Sequence, residues 1–112
     1  EDKATLFKVL SYIFDNYKEG SLEECADSVG YSITALSRMI KRETGKTWTD
    51  LLKEKRLSIA VWFLQNTKEN IDEISRSVGY ENISYFHRLF RTKYHMGPKE
   101  YRDARKDTFL DK

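Results

Sequence analysis

A chain of 112 residues is long enough for one compact domain, or for two small lobes. Its net charge of +2 announces no overall basic or acidic field, so any charged partner must be met by local patches. A single cysteine excludes an intramolecular disulfide and fits a reducing compartment. With no leader or membrane-length apolar run visible, the expectation is a cytosolic protein.

The first predicted helix covers Ala4 to Tyr17. Its apolar stripe, Leu6, Val9, Leu10, Ile13, Phe14 and Tyr17, recurs at three- and four-residue steps and is expected to pack over the helices that follow. Gly20 ends it. Ser21 and Glu24 then stand in the capping-box spacing, opening a short helix that runs to Gly30. Cys25 falls in an apolar slot of this helix and reads as a buried structural thiol. Ser32 is the expected N-cap of the next helix, Ile33 to Thr44, which Gly45 terminates.

The longest helix is predicted for Thr47 to Asn66, with Thr47 and Asp50 as a further capping box. Leu52, Ala60, Phe63 and Leu64 are its expected core contacts. At about 1.5 Å per residue it would reach roughly 30 Å, which suits a connector. A polar run, Gln65 to Asn70, leads to a short helix with Ile71, Ile74 and Val78 at helical spacing, Asn70 as N-cap and Glu73 in the box position. Gly79 supplies the left-handed turn, and the small Ser75 allows a second helix to cross closely. That crossing helix turns Phe86, Leu89 and Phe90 inward and Ser84, His87, Arg88 and Arg91 outward. Gly97 and Pro98 mark a stop and restart, Tyr101 docks a final helix to about Arg105, and Asp107 to Lys112 reads as a frayed tail.

The segment IDEISRSVGY at Ile71 to Tyr80 repeats LEECADSVGY at Leu22 to Tyr31. Glu24, Ser28, Val29, Gly30 and Tyr31 return as Glu73, Ser77, Val78, Gly79 and Tyr80, with Ala26 opposite Ser75 and Cys25 opposite Ile74. Beyond the turn the second copy has one extra residue. Then Leu36, Arg38, Met39, Ile40 and Lys41 align with Phe86, Arg88, Leu89, Phe90 and Arg91. A short supporting helix, a glycine turn and a second helix with outward donors is the layout of a DNA-reading helix-turn-helix, and here it occurs twice. The expected fold is all-α: seven helices, with two homeodomain-like helix-turn-helix subdomains (1–46 and 67–112) joined by a connecting helix (47–66).

With both copies in view, the chain resembles the DNA-binding domain of the AraC/XylS family of bacterial transcription regulators. The resemblance rests on LSRMIKRETGKT at Leu36 to Thr47, and on Arg56, Ala60, Phe63, Leu64 and Thr67 in the connecting helix. It continues through Ile74-Ser75, Val78-Gly79-Tyr80, Tyr85-Phe86, Phe90 and Pro98. Two departures stand out. His95 occupies a position where the family usually has glycine. Ile59 and Trp62 occupy usually polar positions, read either as a larger core or as an exposed patch that docks another domain or polymerase.

The resemblance implies binding to a double-stranded DNA operator with one reading helix per subdomain, usually as an activator that contacts RNA polymerase. It also implies an effector-binding, dimerising or receiver domain ahead of this one. Base contacts carried over from the family fall on Thr34, Ser37 and Arg38 in the first subdomain and on Ile83, Ser84, His87 and Arg88 in the second. The arginines have the firmest physical basis, since a guanidinium donates twice to guanine. Ser32, Lys41 and Arg91 are expected phosphate anchors, which set register without reading sequence. Arg56 reads as a structural pairing between the lobes. No glycine-rich phosphate loop, metal-ligand spacing or activated nucleophile is visible, so neither an enzyme nor a cofactor or metal site is expected. The rival reading is a helical protein-docking module, for which arginines repeated at one register have no use.

Overall fold

A computed structural model describes residues 2–110, with side chains described for 2–104. Among these the chain forms seven helices: α1 (Asp2–Asp15), α2 (Leu22–Val29), α3 (Ile33–Thr44), α4 (Trp48–Asn66), α5 (Ile71–Ser77), α6 (Ile83–Tyr94) and α7 (Pro98–Leu110). No strand occurs among the described residues. Two compact units, Glu1–Arg56 and Leu57–Lys112, divide within α4.

The core of the first unit gathers Val9 and Ile13 of α1, Cys25 and Ala26 of α2, Leu36, Met39 and Ile40 of α3, and Trp48 at the start of α4. Here the expected α1 stripe is corrected. Leu10 is 43% and Phe14 58% exposed, and Tyr12 takes the inner place, its ring 5.9 Å from that of Trp48. The packed face is centred on Val9 and Ile13. Leu10 and Tyr12 flank that face at equal angles, but Trp48 meets it on the Tyr12 side, which leaves Leu10 and, further round, Phe14 exposed. The helix also begins at Asp2, earlier than expected, and its first turn is tied to α3 by the Asp2–Arg42 ion pair.

Tyr12 also alters the expected capping box of α2. Ser21 Oγ accepts from the Glu24 N–H at 3.0 Å, as such a box requires. The Ser21 N–H, however, donates to the Tyr12 hydroxyl at 3.1 Å, which in turn donates to Glu24 Oε1 at 2.9 Å. The tyrosine thus bridges the return half of the box. The box opening α4 is direct: Thr47 N–H to Asp50 Oδ2 at 3.2 Å and Asp50 N–H to Thr47 Oγ1 at 3.1 Å.

In the second unit Leu57, Ala60 and Leu64 of α4, Ile74 and Ser75 of α5, Val78, and Phe86 and Phe90 of α6 are buried. Tyr101 of α7 meets Phe90 edge-on at 5.6 Å, as expected of a docking residue. Trp62 is 55% exposed and stands edge-on to Phe63, so it adds little to this core. The final helix runs on to Leu110, which corrects both the stop expected near Arg105 and the frayed tail as far as that residue. No glycine or proline follows Pro98 to break it. Positions 111 and 112 lie outside the described residues.

Each unit fastens the end of its first helix with an arginine from its last. Arg56 donates to the carbonyls of Tyr17 and Lys18 at 2.6 and 3.0 Å. Arg102 donates to those of Leu64 and Thr67, both at 3.1 Å. Arg56 is therefore structural, but its pairing lies inside the first unit rather than between the lobes as expected. Carbonyls in the last turn of a helix and just beyond it lack an intrahelical donor, and a guanidinium fork supplies two.

Candidate nucleic-acid interface

The two turns that aim α3 and α6 share a pair of backbone hydrogen bonds at matching positions. After α2 the Gly30 N–H donates to Asp27 O at 3.2 Å and the Tyr31 N–H to Ala26 O at 3.0 Å. After α5 the Gly79 N–H donates to Arg76 O at 3.0 Å and the Tyr80 N–H to Ser75 O at 2.9 Å. Both glycines have positive φ, 75° and 108°, which a side chain would strain. Ala26 and Ser75 are fully buried at the same register, and the Ser75 hydroxyl donates to Tyr80 O at 2.7 Å. Small residues there bring the crossing helix close.

α3 and α6 are each twelve residues long and begin on side-chain caps. Ser32 Oγ accepts from the Ala35 N–H at 3.1 Å, and Asn82 Oδ1 from the Tyr85 N–H at 3.0 Å. The extra residue of the second copy falls in the turn, so the two helices align from their first residues.

Inward residues fix what faces outward. With Leu36 and Ile40 buried in α3, Thr34, Ser37, Arg38 and Lys41 share the opposite face at helical spacing; all are exposed except the half-buried Ser37. With Phe86 and Phe90 buried in α6, Ser84, His87, Arg88 and Arg91 share the equivalent face and are exposed. Ile83 is half-buried to one side of that row.

The three expected phosphate anchors are engaged within the chain. Ser32 is spent as a cap acceptor but keeps its hydroxyl proton for a further partner. Lys41 Nζ donates to Gly45 O at 3.0 Å, and Arg91 pairs with Glu100 at 3.3 Å. The Gly97 N–H and, secondarily, Arg91 hold the Glu100 carboxyl below its usual range. Arg38 has no ion-pair partner among the described residues, whereas Arg88 lies over the ring of Tyr85.

Two exposed residues were missed from the sequence. Ile33 opens α3 at the register of Ile83, and the repeat alignment would have found it. Tyr85 carries no polar signal that sets it apart from a core aromatic.

A helix-turn-helix domain family model matches residues 25–104. The structure of a transcriptional regulator from Chromobacterium violaceum, described as AraC-type DNA-binding domain-containing, superposes with a TM-score of 0.87 at 27% identity, covering 92% of this chain and 93% of that one. The chain belongs to the AraC-type helix-turn-helix family. A second solved member of this family, the C-terminal domain of the response regulator AraT from Geobacillus stearothermophilus, gives a TM-score of 0.82 at 31% identity over 89% of this chain and 84% of that one. The xylose operon regulatory protein of Escherichia coli strain K12 is 31% identical over 106 residues, 94% of this chain. The chain spans only 27% of that regulator's length. As an AraC-type domain, the chain is a DNA-binding unit of transcription regulators. No helix among the described residues is long and apolar enough to cross a membrane.

Proposed function

We propose that this domain reads an operator in double-stranded DNA with two helices, α3 and α6, placed in adjacent major-groove segments. Residues 1–46 and 67–112 each carry one reading unit, and 47–66 joins them. Base contacts fall to Thr34, Ser37 and Arg38 in the first and to Ile83, Ser84, His87 and Arg88 in the second; Ser32, Lys41 and Arg91 touch phosphate. The observation that carries the reading is the exposure of Arg38 and Arg88 at one register, on helices aimed by matching glycine turns. An arginine at that place in a groove can bond O6 and N7 of guanine together. Successive major-groove faces lie about 34 Å apart, and the nineteen-residue α4, about 28 Å at 1.5 Å per residue, is of a length to link them.

The intact protein is a cytoplasmic bacterial regulator, not an enzyme. It activates transcription through RNA polymerase and carries an effector-binding, dimerising or receiver domain. Selection of bound duplexes from a random library, followed by affinity at two salt concentrations, tests the operator reading. Two conserved blocks about one helical turn apart are the expected result. A single block would strike out readout by one unit. No enrichment, with weak binding abolished by salt, would favour the protein-docking reading, for which the exposed Trp62 is the supporting observation.

A further inference from the structure

Tyr85 sits in the first turn of α6 and is 42% exposed, although its neighbour Phe86 is fully buried. Its ring meets that of Tyr80 nearly edge-on, with centroids 5.8 Å apart. On its own helix, three residues on, the guanidinium carbon of Arg88 lies 5.5 Å from the Tyr85 ring centroid. That spacing places the two side chains on one side of the helix. Tyr80 is held in turn. It is nearly buried, its ring is tilted against Phe86 at 6.0 Å, and its carbonyl accepts the Ser75 hydroxyl. A chain of contacts therefore runs from buried Ser75 through Tyr80 and Tyr85 to the cation of Arg88.

The face of an aromatic ring carries negative potential and attracts a guanidinium, while the N–H donors at the cation's edge stay available. An arginine resting on a ring samples fewer rotamers, so less freedom remains to be lost when it docks on a base. Among the described residues the first unit has no such support. Ala35 stands at the equivalent third position of α3, and Arg38 projects without a ring.

We infer that Tyr85 is a positioning residue for DNA recognition: it holds Arg88 oriented for two-donor base contact and sharpens the preference of the second unit at the base pair Arg88 reads. This rests on the assignment of Arg88 to a base under the proposed function. The side chain acts through Arg88 and touches no DNA.

The test is a double-mutant cycle on the selected operator, on its single-base variants at the Arg88 pair, and on a random duplex, each at two salt concentrations. Tyr85→Phe, which keeps the ring, should match the parent. Tyr85→Ala and Tyr85→Leu should weaken operator binding about threefold, reduce the preference at that pair, and leave random-duplex affinity and salt slope unchanged. Added to Arg88→Ala, Tyr85→Ala should cost nothing more. Additive losses beside a costly Arg88→Ala would overturn the positioning role alone. So would a neutral Tyr85→Ala, or a loss equal on all sequences. A neutral Arg88→Ala would overturn the base assignment and this inference together.

Discussion

His95 and Gly45 close the two reading helices in the same left-handed conformation, φ 65° and 77°, and each N–H returns to a carbonyl four residues back, at 2.7 and 2.9 Å. His95 is the one non-glycine residue with positive φ among those described. Exchanging residue types at these positions should move stability in opposite directions. An L side chain in this region costs about 1–2 kcal/mol, and the added freedom of glycine in the unfolded chain offsets about 0.4–1 kcal/mol of the relief. His95→Gly should therefore stabilise by about 0.5–1 kcal/mol. Gly45→Ala should destabilise by a similar amount, because a Cβ there meets nothing within 4 Å and adds no clash to the backbone cost. Urea unfolding followed by circular dichroism measures both. Emission from Trp48, buried in the first unit, and Trp62, in the second, assigns each shift to its unit. A destabilising His95→Gly would refute the strain argument. A stabilising Gly45→Ala would refute it too, since with open space around the Cβ only the unfolded-chain term opposes the backbone cost.

Arg38→Ala should cost about 1–3 kcal/mol on the operator and relax preference at one base pair, whereas Lys41→Ala should weaken all duplexes alike and make the salt dependence shallower; filter binding across sequence variants separates the two. Glu100→Gln removes the carboxylate that pairs with Arg91. If Arg91 reaches phosphate, random-duplex affinity should rise and the logarithmic salt slope steepen by about one, and an unchanged slope would show that Arg91 stays off the backbone. Burial pushes the Cys25 thiol up to about 11 from an ordinary 9.0, so the folded state favours the neutral form. Its contribution to stability is complete below pH 9 and is lost as pH rises towards 11, a window that thermal melts of the parent and Cys25→Ala can compare. Equal alkaline slopes in both would exclude it.

Much of this arrangement is legible in the residues because the informative features are local. Gly30, Gly79 and the capping side chains act within four residues of their partners, so their spacing alone locates the turns and the starts of α2 to α5. The outward register of Arg38 and Arg88 follows once Leu36, Ile40, Phe86 and Phe90 are recognised as core. The face of α1 was harder to read. Apolar residues lie around more than half of that helix, so periodicity suggests a stripe without its centre, and Tyr12 is half-buried because Trp48 and Glu24 come to meet it. The bonds from Arg56 and Arg102 to carbonyls more than thirty residues away could not be read from spacing. Nor could the engagement of Lys41 and Arg91, which depends on how the last turn of each reading helix closes. Tyr85 reads as core by residue type, and only its exposure in the fold sets it apart.

The arginine fork of the second unit bears on where such a domain can be cut. Phe90, Tyr94 and Tyr101 form its closing aromatic cluster, and a boundary drawn after residue 101 would retain them all. It would nevertheless leave the carbonyls of Leu64 and Thr67 without their guanidinium, opening the end of α4 at the loop into α5. A recombinant boundary or fusion junction chosen from the aromatic core alone would thus be one residue short, and fusions of this domain to another protein should keep the helix through Arg102.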